Sequence, residues 1–180
     1  MKICVVSLNM SRGEEIASLF SLKSISYEYF FKGIGYQTSL GKYEENINGA
    51  KEYFDSKYAN VDAFIEFPSS FIHQYAFEKD NNTKFIFIDI SKEAWLEKMN
   101  YVKDLYVSHV PDYLFEEFFC NFYQQTGKTN MLDLTNEELS TIYDAHVSSI
   151  NSNLSSNPNF IKIDYDDPDL INKISQFLNI

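Results

Sequence analysis

Apolar positions along the chain alternate between two rhythms. Ile3, Cys4, Val5 and Val6 form an unbroken apolar run, the pattern of a strand buried on both faces of a parallel sheet. Ile16, Leu19 and Phe20 then follow at helical spacing. A short strand is predicted over 26–31 and a helix over 46–58, with Ile47, Ala50, Tyr53 and Phe54 on one face. Residues 63–67 form another buried strand closed by Pro68, and Ser69 to His73 have the serine cap and apolar spacing of a new helix. The strongest strand pattern is 84–90, whose near-continuous hydrophobicity marks it as the sheet centre. Ser91 caps the helix carrying Ala94, Trp95 and Met99.

From Pro111 the spacing of Leu114, Phe115, Phe118, Phe119, Phe122 and Tyr123 predicts a helix with a broad aromatic face. A long helix over 135–150, a Ser/Asn-rich loop over 151–159 and a strand over 160–163 follow. Pro168 opens a terminal helix carrying Leu170, Ile174 and Leu178. Strands alternating with helices predict an α/β fold, a three-layer sandwich with a central, mainly parallel sheet. At 180 residues the chain is expected to form a single domain spanning 1–180.

Composition adds constraints. A formal charge of −11 argues against nucleic acid and against an anionic membrane surface as partners. No apolar run reaches membrane-spanning length or forms a signal-peptide core, so a cytoplasmic location is expected. Cys4 and Cys120 sit where small buried residues belong and read as core thiols.

Candidate chemistry begins at the loop after the first strand. A loop leading from a parallel strand into a helix presents free backbone N–H groups and the positive end of the helix dipole, a seat for an oxyanion. Arg12 is the only arginine in the chain and can pair either with such an anion or with Glu14 or Glu15. Asp62 and Glu66 flank the third strand; each is a candidate general base, against a cap or surface role. His109 precedes a Pro-Asp turn and is the third catalytic candidate. Asp164, Asp166, Asp167 and Asp169 can attract a hard cation or form a solvated turn; their spacing matches no calcium loop. The three histidines lack metal-ligand spacing, so no metal is expected. Gly33-Ile34-Gly35 lacks the third glycine of a dinucleotide loop, and Gly127-Lys128-Thr129 lacks the strand and first glycine of a Walker A loop.

Several blocks, in order, resemble the P-loop sulfotransferases, especially their compact bacterial branch. They are the strand, loop and helix of residues 5–20, the run Val61-Asp62-Ala63-Phe64-Ile65-Glu66-Phe67-Pro68, and the strand 84–90 followed by Trp95. A fourth block joins Tyr143-Asp144-Ala145-His146, the late strand from Phe160 and the closing Phe177-Leu178. The resemblance implies a P-loop NTPase/sulfotransferase-like fold. It also implies transfer of a sulfuryl group from PAPS to a hydroxyl or amine of a small-molecule or glycan acceptor.

It places Asn9, Ser11, Arg12 and Gly13 in the donor loop. The family's two hydroxyl positions in that loop are glutamates here, Glu14 and Glu15, and its second phosphate anchor, an Arg and a Ser, is replaced by Ile90 and Lys98. Two functions follow from this mixture: a sulfotransferase with a divergent donor site, or a non-catalytic relative that serves as an interaction or small-ligand module. A kinase on the same scaffold would need a magnesium site and a phosphate-binding lysine, and the loop supplies no lysine.

Overall fold

A computed structural model describes residues 2–8, 11–29, 47–66, 68–108 and 133–180. Five strands, β1 (Ile3–Val5), β2 (Tyr27–Tyr29), β3 (Ala63–Ile65), β4 (Lys84–Asp89) and β5 (Phe160–Asp164), form one sheet in the order β2-β3-β1-β4-β5. All four pairings are parallel, with Ile3 opposite both Ala63 and Lys84. The helices are α1 (Gly13–Leu22), α2 (Ile47–Tyr58), α3 (Ser69–Lys79), α4 (Lys92–Ser108), α5 (Asn136–Leu154) and α6 (Leu170–Leu178). This strand order differs from the 3-2-1-4-5-6 and 2-1-3-4-5 orders of the common doubly wound nucleotide-binding sheets.

Alternation along β1 sorts the helices into two layers, because successive side chains of a strand point to opposite faces. Ile3 and Val5 pack with Ile16 and Phe20 of α1 and with Leu170 and Ile174 of α6. Cys4 and Val6 pack on the other face with Phe54 of α2, Ile72 and Ala76 of α3, and Ile150 and Leu154 of α5. A third cluster, past the carboxyl ends of β1 and β4, joins Leu8 and Ile90 to Trp95 and Met99 of α4 and to Leu139, Ile142 and Tyr143 of α5. The expected parallel α/β sandwich is therefore present.

Four expectations are corrected. The sheet centre is β1, with β4 beside it; continuous hydrophobicity marks any strand with neighbours on both sides and does not rank them. The strand expected over 63–67 ends at Ile65, because Glu66 turns into the left-handed region at φ 62. The loop expected from residue 151 is still helix as far as Leu154. Burial of Ile150 and Leu154, one turn apart, outweighs the weak helix preference of the intervening polar residues. Ser152 Oγ also finds a partner inside the helix, donating to the Ser148 carbonyl.

Ser91 plays its expected part, accepting the Ala94 N–H at 3.2 Å. The serine cap expected for α3 is not formed: Pro68 holds the cap position, and the Ser69 hydroxyl donates to the Val5 and Glu66 carbonyls instead. The aromatic pattern from Pro111, the Gly33 and Gly127 turns, and Cys120 lie outside the described residues. Cys4 is fully buried, and burial pushes its thiol pKa up. Among the described residues no helix is long and apolar enough to cross a membrane.

Helix α5 begins with a reciprocal cap. The Glu138 N–H donates to Thr135 Oγ1 at 3.2 Å, and the Thr135 N–H donates to Glu138 Oε2 at 2.7 Å. Thr135→Ala is expected to cost about 1 kcal/mol, lowering Tm by about 2–4 °C in a thermal melt.

Candidate functional site

The sheet has a switch point at β1. Its chain leaves towards α1 on one face, whereas the chain from neighbouring β3 enters α3 on the other. Crevices outside the carboxyl ends of parallel strands at such a point are the usual ligand sites of open α/β sheets. Here the crevice is bounded by Ser11, Arg12 and Gly13 before and at the start of α1, and by Glu66 after β3.

Two non-glycine residues with left-handed backbones occupy these turns, Arg12 at φ 66 and Glu66 at φ 62. Such residues cost of order 1 kcal/mol or more and persist where surrounding contacts fix them. The backbone of Glu66 is so fixed: its N–H donates to the Val5 carbonyl at 2.9 Å. Its own carbonyl accepts from Ser70 N–H at 2.7 Å and from Ser69 Oγ at 3.0 Å.

The Glu66 side chain is consequently directed at the start of α1. A Cβ built on Gly13 would lie 2.7 Å from Glu66 Oε1 and 3.0 Å from the Tyr29 hydroxyl. Glu66 is 1% exposed, and neither carboxyl oxygen has a hydrogen-bond partner among the described residues. The buried hydroxyl of Ser11 is also without one. Burial pushes the Glu66 carboxyl up to about 8; the Ser11 backbone holds it down in part without a well-formed hydrogen bond, and the negative charge of Glu14 adds to the rise. A carboxyl poised this close to neutrality in a crevice has the character of a functional acid or base.

Arg12 is committed elsewhere. Its Nε and Nη2 donate to the two Glu15 carboxylate oxygens at 2.8 and 2.6 Å, and its Nη1 donates to the Tyr165 and Asp167 carbonyls at 2.9 and 3.1 Å. Of the two glutamates read as partners from the sequence, Glu15 is the one it bonds. The arginine thereby ties the first loop to the turn after β5. Its guanidinium lies 6.0 Å from the Tyr165 ring centre, and Lys98 Nζ lies 5.1 Å from the same ring.

The tyrosine and histidine of the Tyr143-Asp144-Ala145-His146 block brace the crevice from α5. Tyr143 donates its hydroxyl to the Ile90 carbonyl at 2.5 Å, and His146 Nε2 donates to the Val6 carbonyl at 2.9 Å. One turn of helix thus holds the backbone just past β1 and just past β4. Burial drives the His146 pKa down to about 3, so the imidazole is neutral and serves as a donor, not as a base. His73 is likewise buried, its pKa lowered by desolvation, with its ring contacting the Ser70 carbonyl, Ser149 and Asn153.

The other candidates separate. Asp62 sits at the amino end of β3, away from the crevice, where it accepts hydrogen bonds from the Ser26 N–H and hydroxyl at 3.1 and 2.6 Å. It is an exposed tie between the residues that precede β2 and β3, the surface role read from the sequence as its alternative. His109 and Asn9 lie outside the described residues. Ile90 is buried in the third cluster and offers nothing to a phosphate. Asp167 accepts from the Asp169 N–H and from Lys173, forming a turn at the start of α6. Among the described residues no group of His, Cys, Asp and Glu is placed to hold a metal ion.

Tyr29 is the residue of the crevice that the sequence did not mark, since a strand tyrosine carries no signal of what its hydroxyl reaches. Comparison with known proteins finds no matching family model and no matching curated sequence.

Proposed function

We propose that the protein is a sulfotransferase-like α/β protein that binds a small ligand in the β1/β3 crevice and does not use PAPS as a donor. One observation carries this reading: the Glu66 carboxyl lies against Gly13, at the helix terminus where a phosphosulfate would have to be seated. Glu14 and Glu15 supply further negative charge in the first turn of α1, and Arg12 is already paired. The residues present do not fit the PAPS group. Loss of several charge-assisted hydrogen bonds, each worth about 1.5–3 kcal/mol, weakens binding by orders of magnitude.

A second reading, sulfuryl transfer, draws on the convergence of Arg12 and Lys98 around Tyr165, two cations beside the first loop. Calorimetric titration with PAP, the desulfated product nucleotide, separates the two. The small-ligand reading expects no saturable binding up to millimolar PAP. Sub-millimolar binding that disappears in Arg12→Ala would establish the sulfotransferase reading instead.

A further inference from the structure

Hydrogen-bond satisfaction identifies what the crevice lacks. Buried polar groups in folded proteins are nearly always partnered, and a buried carboxyl without one is costly. At the start of α1 three buried oxygens have no hydrogen-bond partner among the described residues, and each can accept: Glu66 Oε1, Glu66 Oε2 and Ser11 Oγ. A primary ammonium group carries three N–H donors and no acceptor, so it matches this set.

The charges around Glu66 favour the same occupant. Glu14 on α1 raises the negative potential at Glu66, Tyr29 on β2 is neutral, and Arg12 is turned to Glu15 and to the backbone after β5. An oxyanion entering here would meet the Glu14 charge, whereas a cation draws the Glu66 carboxyl into its ionised form and so meets the counter-charge it needs. For a divalent metal, no group of three or more His, Cys, Asp or Glu side chains is assembled here among the described residues.

We propose that the β1/β3 crevice is a receptor for a primary ammonium group, held by Glu66 and Ser11; this rests on the reading of the crevice as a small-ligand site. The ligand is held as the cation, so its nitrogen is an anchor and not a nucleophile. The proton balance is simple: the carboxyl gives up its proton to solvent as the ammonium arrives, and an ion pair with no net covalent change results.

The test is amide NMR of the full chain near neutral pH, titrated separately with propylammonium, tetramethylammonium, acetate and PAP at constant ionic strength. Propylammonium is expected to shift the Ser11, Gly13 and Glu66 amides saturably, and tetramethylammonium, which has the charge but no N–H, is expected not to. Glu66→Gln, which keeps the shape, is expected to weaken propylammonium binding by about tenfold or more. Calorimetry in two buffers of different ionisation enthalpy is expected to register proton release on binding by the unsubstituted protein and none by Glu66→Gln. Equal shifts from tetramethylammonium, or unchanged affinity in Glu66→Gln, overturn the proposal. Crevice shifts from acetate or PAP but not from propylammonium overturn the ammonium assignment while leaving a ligand site. Silence of those amides to all four probes overturns both.

Discussion

Glu66→Gln is expected to abolish a loss of stability that the unsubstituted protein suffers between pH 6.5 and 8. The Glu66 carboxyl is raised by burial to about 8, whereas in the unfolded chain it titrates near 4.5. Between those values the folded state binds a proton that the unfolded state has released. Unfolding therefore becomes easier as pH rises, by up to about 1.4 kcal/mol per pH unit. The stabilising difference is complete below the unfolded value and is lost as pH passes through the folded one.

Other buried groups narrow the useful window. His73 and His146 have lowered pKa values, so their stabilisation is lost as pH falls below about 6.5, opposing the Glu66 trend there. Glu15, Asp55 and Asp80, held below the usual carboxylate range by hydrogen bonds to Arg12, to Lys79 and Tyr75, and to the Asn82 backbone and Tyr58, act only at lower pH still. The Tyr29 hydroxyl is raised further by burial and by Glu66, and titrates only above the window. Between pH 6.5 and 8 the Glu66 loss outweighs the remaining gain from the two histidines, and about 1 kcal/mol is lost. Urea denaturation at several pH values is expected to show this decline in the unsubstituted protein and no decline in Glu66→Gln. Parallel profiles would place the carboxyl in contact with water or a partner.

The sequence made the layers legible because each element is periodic over its own length. Ile3 to Val6, Phe85 to Ile88 and the α1 spacing of Ile16, Leu19 and Phe20 each announce a buried strand or a one-sided helix without reference to the rest of the chain. The strand order was not legible, since Cys4, Phe64 and Phe85 are equally buried whichever of β1, β3 and β4 lies at the centre. The site was legible in part. Glu66 stood out as a carboxyl at a strand end, yet Asp62, four residues earlier, looked equivalent until the strand direction put it at the other end. Arg12 offered two partners, and only the tertiary approach of the β5 turn, through the Tyr165 and Asp167 carbonyls, fixes its direction.

Gly13 belongs to the same lesson. The family resemblance places it in a donor loop, beside a phosphate. In the folded chain a carboxyl of the protein itself comes close, and Gly13→Ala is expected to destabilise the protein by about 1–3 kcal/mol. The added methyl would meet Glu66 Oε1 at 2.7 Å and Cδ at 3.0 Å. The Glu66 backbone cannot yield, being held by Val5, Ser69 and Ser70, and the side chain has no solvent to swing into. In a Glu66→Ala background the obstacle is gone and only the Tyr29 hydroxyl remains near, so the helix preference of alanine over glycine is free to act. The same Gly13→Ala change is then expected to cost almost nothing, giving a coupling of about 1–3 kcal/mol between two residues 53 positions apart in the chain. Measured near pH 6, where Glu66 is protonated, the cycle reports packing and not charge. Equal costs in the two backgrounds would mean that the carboxyl is not what requires glycine at the start of α1.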